Sequence, residues 1–342
     1  MAAFRTDRGR RCGRTLAAGL ALLVLAAACT ARLQPMGEPV RPPGLEERAL
    51  VAPDGYRLPV QVWRSNPRPQ PKAVVLALHG FNDYSNAFAP LGPFLARRGY
   101  TVYALDQRGF GATQDPGIWP GTATLVADLE AAGRALAARH PGVPLVLVGE
   151  SMGGAVVLSA LAGRHRSSWL REATSRTILV APAVWGWSTM NPLYQAALVV
   201  GFATLPGLVL HAPRDLDVHP TDNIDALRAM SRDPLVIKGA RVDAIYGLVD
   251  LMEEAYRAAP ALPVPALVLY GGQEDIIPEG PRDQFVAALP EGHARVVVYP
   301  NGYHMLLRDL QAEVVLNDIA AWLEAPAAPL PSGLGDDPPP SG

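Results

Sequence analysis

The sequence predicts an α/β fold built on a mostly parallel sheet with helices on both faces. Three observations carry that expectation. Short, continuous apolar runs recur along the chain at Ala73–Leu78, Thr101–Leu105, Leu145–Val148, Thr177–Val180, Ala266–Tyr270 and Arg295–Tyr299. Runs without polar alternation suit strands buried on both faces. Helical stretches separate them, at Phe88–Arg98, Thr122–Arg139 and Glu313–Leu323, which is the rhythm of crossover connections. Finally, four of the six apolar runs end in small or polar groups: His79-Gly80, Asp106, Gly149-Glu150-Ser151 and Gly271-Gly272. Ligands in open parallel sheets sit at the carboxyl ends of the strands, so these ends are the place to look for chemistry.

The elements follow in order. Ala49–Ala52 and Leu58–Trp63 flank Asp54-Gly55 and read as a hairpin. The run Leu145–Val148 leads into Gly149-Glu150-Ser151-Met152-Gly153, and Ala155–Ala162 is helix-forming. Gly-x-Ser-x-Gly alone arises by chance in roughly one chain in ten of this length. Strand before and helix after make it a nucleophile elbow, a sharp turn that lifts the serine Oγ above the sheet. Residues 185–259 interrupt the strand–helix rhythm and are expected to form an inserted helical cap. Its first half is greasy, with Trp185, Trp187, Met190, Leu193, Tyr194, Leu198, Val199, Phe202, Leu205 and Leu208. Packing of cap on core is expected to account for most of these. The surface left over suits an acyl chain or a lipid interface better than a polar peptide.

The two ends read differently. Arg5, Arg8, Arg10, Arg11 and Arg14 precede the apolar run Leu16–Ala28, and Ala26-Ala27-Ala28-Cys29 closes it. That is an export signal, too short to span a bilayer comfortably. Arg10-Arg11 makes only a poor twin-arginine motif. The close resembles a bacterial lipoprotein lipobox, with Ala26 where leucine is usual and Leu25 one place earlier. The resemblance implies a signal peptide over 1–28 and a lipidated Cys29 anchoring the chain in a bacterial cell envelope. Cleavage after Ala-x-Ala and an uncleaved anchor are the alternatives. Residues 29–45 are expected to be a polar, Pro-rich tether, 46–325 the domain, and 326–342 a disordered tail.

Composition narrows the function. Of 342 residues, 49% are hydrophobic and 18% charged, with a net charge of −2, as in a globular domain. Lysine occurs only at Lys72 and Lys238 against plentiful arginine, which fits a GC-rich bacterial coding bias. No basic stripe follows Arg14, so nucleic-acid binding is not expected. Cys12 and Cys29 are the only cysteines, and Cys12 lies in the expected signal. The mature chain then has no internal disulfide and no cysteine metal site.

Leu78-His79-Gly80-Phe81, Asp106-Gln107-Arg108-Gly109-Phe110-Gly111, the elbow, and Asp233-Pro234-Leu235-Val236 together resemble the α/β-hydrolases. Within that fold the chain looks like the monoacylglycerol lipase and lysophospholipase group, which is classed with serine aminopeptidase-like hydrolases. The likeness covers about residues 50–323. It implies a triad in the order serine, acid, histidine. The base is His304, in Asn301-Gly302-Tyr303-His304 after the last strand; the other six histidines are misplaced for it. The acid is Asp275, by matching Gly-x-x-Asp from Gly272 with Pro278 one place early; Glu274 is the neighbouring alternative. The backbone N–H groups of Phe81 and Met152 form the oxyanion hole. His79, Asp106 and Arg108 fix loops. The expected activity is hydrolysis of a fatty-acyl ester such as a monoacylglycerol or lysophospholipid through an acyl-enzyme, without metal or organic cofactor. A carboxylesterase, thioesterase or aminopeptidase would use the same triad. A non-catalytic lipid-binding lipoprotein is the alternative from another class, but it has no need of three triad residues.

Overall fold

The computed structural model describes residues 30–66, 70–211 and 218–335. The expected signal, Cys12 and Cys29 lie outside the described residues. The chain forms strands β1 (Gly44–Leu45), β2 (Ala49–Val51), β3 (Arg57–Trp63), β4 (Val74–Leu78), β5 (Thr101–Leu105), β6 (Leu145–Glu150) and β7 (Thr174–Val180). After the insertion, with its short β8 (Val209–Leu210) and β9 (Ala240–Arg241), come β10 (Ala266–Gly271) and β11 (Ala294–Tyr299). The helices are α1 (Leu91–Ala96), α2 (Thr122–Arg139), α3 (Met152–Ala162), α4 (Ser168–Ala173), α5 (Pro192–Thr204), α6 (Ile224–Arg232), α7 (Val242–Ala258), α8 (Glu279–Ala288) and α9 (Ala312–Glu324).

The main sheet runs β1-β2-β3-β5-β4-β6-β7-β10-β11. From β5 to β11 every pairing is parallel, and the β1–β3 meander joins antiparallel. Each side of the sheet carries its own core. On β4, Val74, Leu76 and Leu78 join one cluster with Leu129 of α2, Val156 of α3 and Met252 of α7. Val75 and Ala77 point the other way, to Leu91 and Leu95 of α1 and Ile319 and Trp322 of α9. This alternation is the period-two geometry of a strand, and it explains why β4, buried on both faces, carries no polar position.

Register sets the site. Leu78 pairs with Leu105 on one side and Gly149 on the other, while Glu150 pairs with Val180 and Gly271 with Tyr299. The residues that follow each strand therefore leave the sheet along one edge, side by side.

Four elements depart from the sequence reading. The helix expected over 88–98 begins only at Leu91, because Pro93 has no N–H and fits only in the first turn. The cap is shallower than 185–259: α7 buries Val249, Leu251 and Ala255 and lies against α3, so the chain rejoins the core at Val242. The stretch taken as a tether is laid onto the domain from Arg32 onward. Gln34 N–H donates to Trp119 O at 2.9 Å, Gly37 N–H to Asp54 at 2.9 Å and Val40 N–H to Pro53 O at 2.8 Å. The tail is seated through residue 335, with Leu330 buried beside α9 and Ser332 N–H donating to Asp318 at 2.9 Å. Composition hid this because two leucines and one buried carboxylate, Asp318, are enough to hold a short Pro/Gly-rich segment.

Gly153 at the start of α3 is wedged against the end of β4. A Cβ there would lie 2.0 Å from Leu78 O. Gly153→Ala is expected to destabilise the chain by about 1–3 kcal/mol through overpacking, read as a lowered denaturation midpoint. An unchanged midpoint would contradict the close approach.

Candidate active site

Ser151 sits between β6 and α3 with φ 52° and ψ −116°, in the left-handed region a serine rarely adopts. The turn is held open from both sides. Ser151 N–H donates to Val180 O at 2.9 Å, and Ala183 N–H donates to Ser151 O at 3.0 Å. Gly149 allows the fold-back, since a Cβ there would come within 2.5 Å of the Gly153 backbone. The strain is thus imposed by β7 and the packing of α3, which is how a high-energy backbone persists.

The Leu78–Phe81 loop lies next to it. His79 is fully buried; its Nδ1–H donates to Gly80 O at 2.8 Å, and its Nε2 accepts Gln107 N–H at 3.0 Å. Both ring nitrogens are used, so the imidazole ties two loops together. Asp106 accepts Ser85 N–H and Ala112 N–H, each at 2.9 Å. Arg108 bridges Asp54 and Asp128, both at 2.8 Å, beneath the ring of Tyr56. All three residues hold loops, as the sequence reading expects. Among the described residues, the backbone N–H groups of Phe81 and Met152 donate to no protein acceptor. Both residues line the cavity into which Ser151 opens, and Met152 opens α3, at the positive end of its dipole.

The structure corrects the expected acid. His304 Nδ1 lies 2.8 Å from Glu274 Oε2 and 3.0 Å from Oε1. The Glu274 side chain is fully buried, and Oε1 also accepts Ile276 N–H at 2.8 Å and Ile277 N–H at 3.1 Å. Asp275 points outward instead, 44% exposed, and accepts His219 N–H at 3.2 Å. The reason is the fit of two loops. Gly272 N–H donates to Tyr299 O at 2.7 Å and Gln273 N–H to Gly302 O at 2.9 Å. A Cβ at Gly271 would lie 2.3 Å from Gly302 O. The turn is therefore counted from Gly271, and the fourth residue, Glu274, faces the histidine. Pro278 carried that signal in the sequence: counted from Gly271, it falls four residues after the acid with no offset.

Burial alone would raise the Glu274 carboxyl, but the His304 hydrogen bond and charge, with two backbone N–H groups, hold it below its ordinary 4.5. Burial likewise lowers the His79 imidazole below 6.5. Serine, imidazole and the oxyanion-side residues share one cavity of about 760 Å³. No Ser151–His304 hydrogen bond is closed among the described residues, as is common before substrate binds; both side chains line the same space. The walls are largely apolar, including Leu210, Ile237, Ile245, Leu248, Met252 and Ile276.

The sequence reading did not find the charged cluster at the cavity floor. Arg308, four residues beyond His304 in the same loop, donates to Asp83 at 2.6 Å and to Glu150 at 3.1 Å. Burial raises the Glu150 carboxyl, and Arg308 opposes it. The cap return touches the same loops. Tyr84 OH donates to Asp233 at 2.7 Å, and Ile237 N–H donates to Asn82 O at 2.9 Å. Nothing in local spacing links Arg308 to Glu150 across 158 positions. Among the described residues, no group of three or more His, Cys, Asp or Glu side chains is placed to hold a metal ion.

Comparison with known proteins agrees with this geometry. A family model described as serine aminopeptidase, S33, matches residues 69–311. The monoacylglycerol lipase of Mycolicibacterium smegmatis is 26% identical over 81% of this chain and 96% of its own length. The monoglyceride lipase of Rattus norvegicus is 27% identical over 80% of this chain and 89% of its own. Among solved structures, a monoacylglycerol lipase from Paleococcus ferrophilus superposes with a TM-score of 0.64 at 22% identity, over 78% of this chain and 98% of its own. A soluble variant of the Saccharomyces cerevisiae monoglyceride lipase, in complex with a substrate analogue, gives 0.67 at 21%, over 79% and 92%. These structures establish the α/β-hydrolase fold.

His79 and Glu274 each contribute stability that is lost as pH drops. The unfolded chain takes up protons near 6.5 on an exposed histidine and near 4.5 on a glutamate, while folded His79 and Glu274 resist until lower pH. Their contribution is complete above the unfolded values and is lost as pH falls through the folded ones. From pH 7 to pH 5 the melting temperature of His79→Gln, taken relative to that of the wild type, is expected to rise. A difference between the two proteins that stays flat or falls would contradict this.

Proposed function

We propose, for a chain that belongs to the serine aminopeptidase S33 family of α/β-hydrolases, the hydrolysis of fatty-acyl monoesters such as monoacylglycerols through a Ser151 acyl-enzyme. The observation that carries the reading is the buried Glu274–His304 pair opening, with Ser151, onto one apolar cavity.

The chemistry follows from the geometry. Glu274 fixes the proton on Nδ1, which leaves Nε2 free to accept the Ser151 proton as Oγ attacks the acyl carbonyl. The carbonyl oxygen becomes an oxyanion facing the Phe81 and Met152 N–H groups, each such donor being worth about 3 kcal/mol in the transition state. The imidazolium, stabilised by Glu274, then protonates the departing alkoxide. Water enters by the reverse route, with His304 as base, and frees the fatty acid. Lipase relatives that span most of the chain support a lipid ester as substrate. An aminopeptidase reading needs a free carboxylate for the substrate amine, and the nearby Asp83 and Glu150 are both held by Arg308. Lysophospholipids present the same acyl ester and fall within the proposed substrate class.

A fluorophosphonate probe is expected to label the wild type and not Ser151→Ala, with hydrolysis reduced about 10⁶-fold. Rates on p-nitrophenyl esters should rise from C2 toward medium and long chains. Activity confined to aminoacyl amides would contradict the lipid reading. Glu274→Gln should lower kcat by about 10⁴-fold, by analogy with other triads, while Asp275→Asn should stay within about two-fold. The reverse order would restore Asp275 as the acid.

A further inference from the structure

The strap over residues 32–36 reaches toward the active site from behind. Leu33 forms a parallel bridge with Trp119, and Gln34 N–H donates to Trp119 O at 2.9 Å. On either side, Arg32 N–H donates to Asp243 Oδ2 of α7 at 3.0 Å and Met36 N–H to Thr124 Oγ1 of α2 at 3.1 Å. The Trp119 backbone is thus held by a segment that is itself fastened at both ends. Trp119 is buried, and its ring fits against α7 because position 247 is glycine. A Cβ there would lie 2.2 Å from Trp119 Nε1. The ring also meets Phe81, with centroids 6.4 Å apart. Phe81 meets Phe110 edge to face at 5.6 Å, and Phe110 meets His79 at 5.7 Å. All three distances lie in the range of about 4.5–7 Å over which aromatic pairs attract. Phe81 lines the cavity that holds Ser151, and Trp119 does not.

A backbone oxyanion donor is difficult to support. Its N–H must stay free for the substrate, so no hydrogen bond of its own can orient it, yet it acts only if its direction is fixed beforehand. Among the described residues, neither the N–H nor the C=O of Phe81 has a backbone partner. The positions around it are held: Asp83 N–H donates to Gly80 O at 3.3 Å, and Asn82 O accepts Ile237 N–H at 2.9 Å. That leaves the Phe81 ring to set the plane of its own peptide, and the ring rests on Trp119 and Phe110. Phe110 is buried in the loop that Gln107 ties to His79. Trp119 is set by the strap through its backbone and by α7 through its ring.

We infer that Trp119 is a positioning residue for the oxyanion hole, and that strap residues Leu33 and Gln34 act on the reaction through it. The inference rests on the Ser151 acyl-enzyme reading. Its test uses the full chain, with rates on p-nitrophenyl butyrate taken per site titrated by a fluorophosphonate, so that loss of folded protein does not count. Trp119→Ala and Gln34→Pro, which removes the N–H that holds Trp119, should each lower kcat about ten-fold. That is less than the roughly 10²–10³-fold loss when a donor is removed outright. KM should stay within about two-fold, because the hole is filled only in the transition state. A trifluoromethyl ketone adds Ser151 Oγ to its carbonyl carbon, passes the serine proton to His304 and leaves an oxyanion in the hole. Its affinity should weaken in step with kcat. Trp119→Phe, which keeps an apolar ring beside Phe81, should recover most of the rate. Hydrogen exchange at Asp83 N–H, which closes the turn around Phe81, should quicken in Trp119→Ala and Gln34→Pro and stay unchanged in α9. An undiminished kcat, a lowered kcat with ketone affinity intact, or a Trp119→Phe variant no better than Trp119→Ala would overturn the role of the ring. Where Trp119→Ala does not fold, Gln34→Pro decides. A wild type that cleaves no ester would sink the proposed activity, while exchange at Asp83 still reports whether the strap and Trp119 hold the loop.

Discussion

The strained turn at Ser151 is the constraint on which the site depends. A serine at φ 52° is costly, on the order of 1–3 kcal/mol, and persists only where its surroundings leave no alternative. Here β7 and the residues just after it supply both hydrogen-bond partners of the turn, and Gly153 lets α3 press onto the last carbonyl of β4. The same contact aims the first turn of α3 at the place where negative charge would develop. Sheet register then brings the His79–Phe81 loop alongside, because Leu78 and Gly149 are paired neighbours. Sheet packing, strain and charge stabilisation are one arrangement seen at three scales.

The second half of the site is built by the same means. Two loops that follow adjacent parallel strands meet backbone to backbone at Gly271 and Gly302, leaving no room for a side chain. That contact turns Glu274 inward and Asp275 outward. A buried carboxylate is costly alone, but it has an imidazole and two backbone donors. Removing one partner of such a pair typically costs about 3–5 kcal/mol. Arg308 extends the network by joining the oxyanion-side loop, through Asp83, to the elbow, through Glu150. Three loops that would otherwise move separately are thereby tied at their bases.

What could be read in the sequence follows from the range of each interaction. The buried strands were legible because burial on both faces removes polar alternation, and the elbow because strand, glycines and helix are contiguous. His304 was legible from its place after the last strand. Sequence alone favours Asp275 over its neighbour Glu274, because matching the motif to an aspartate shifts its start from Gly271 to Gly272. Only the contact with Gly302, some thirty positions away, fixes the count. The Arg308 cluster joins residues far apart in the chain and leaves no local trace. The seated strap and tail escaped notice because their compositions are those of linkers, whereas a few hydrogen bonds and buried leucines hold them. In the cap, packing absorbs Trp185, Trp187, Met190 and Leu198, and Phe202 stacks on Tyr246, while Leu193, Tyr194, Val199 and Val200 stay exposed.

On the proposed activity, the acyl chain would lie along the apolar walls of the cavity and its carbonyl would meet Ser151 above the floor tied by Arg308. The most direct measurement is a crystal structure of the chain after reaction with a long-chain phosphonate ester. The account predicts phosphorus bonded to Ser151 Oγ, its oxygen within hydrogen-bond reach of the Phe81 and Met152 N–H groups, His304 between the serine and Glu274, and the alkyl chain along Ile245 and Leu248. Phosphorus on another residue, or Asp275 in the place of Glu274 against the imidazole, would contradict it.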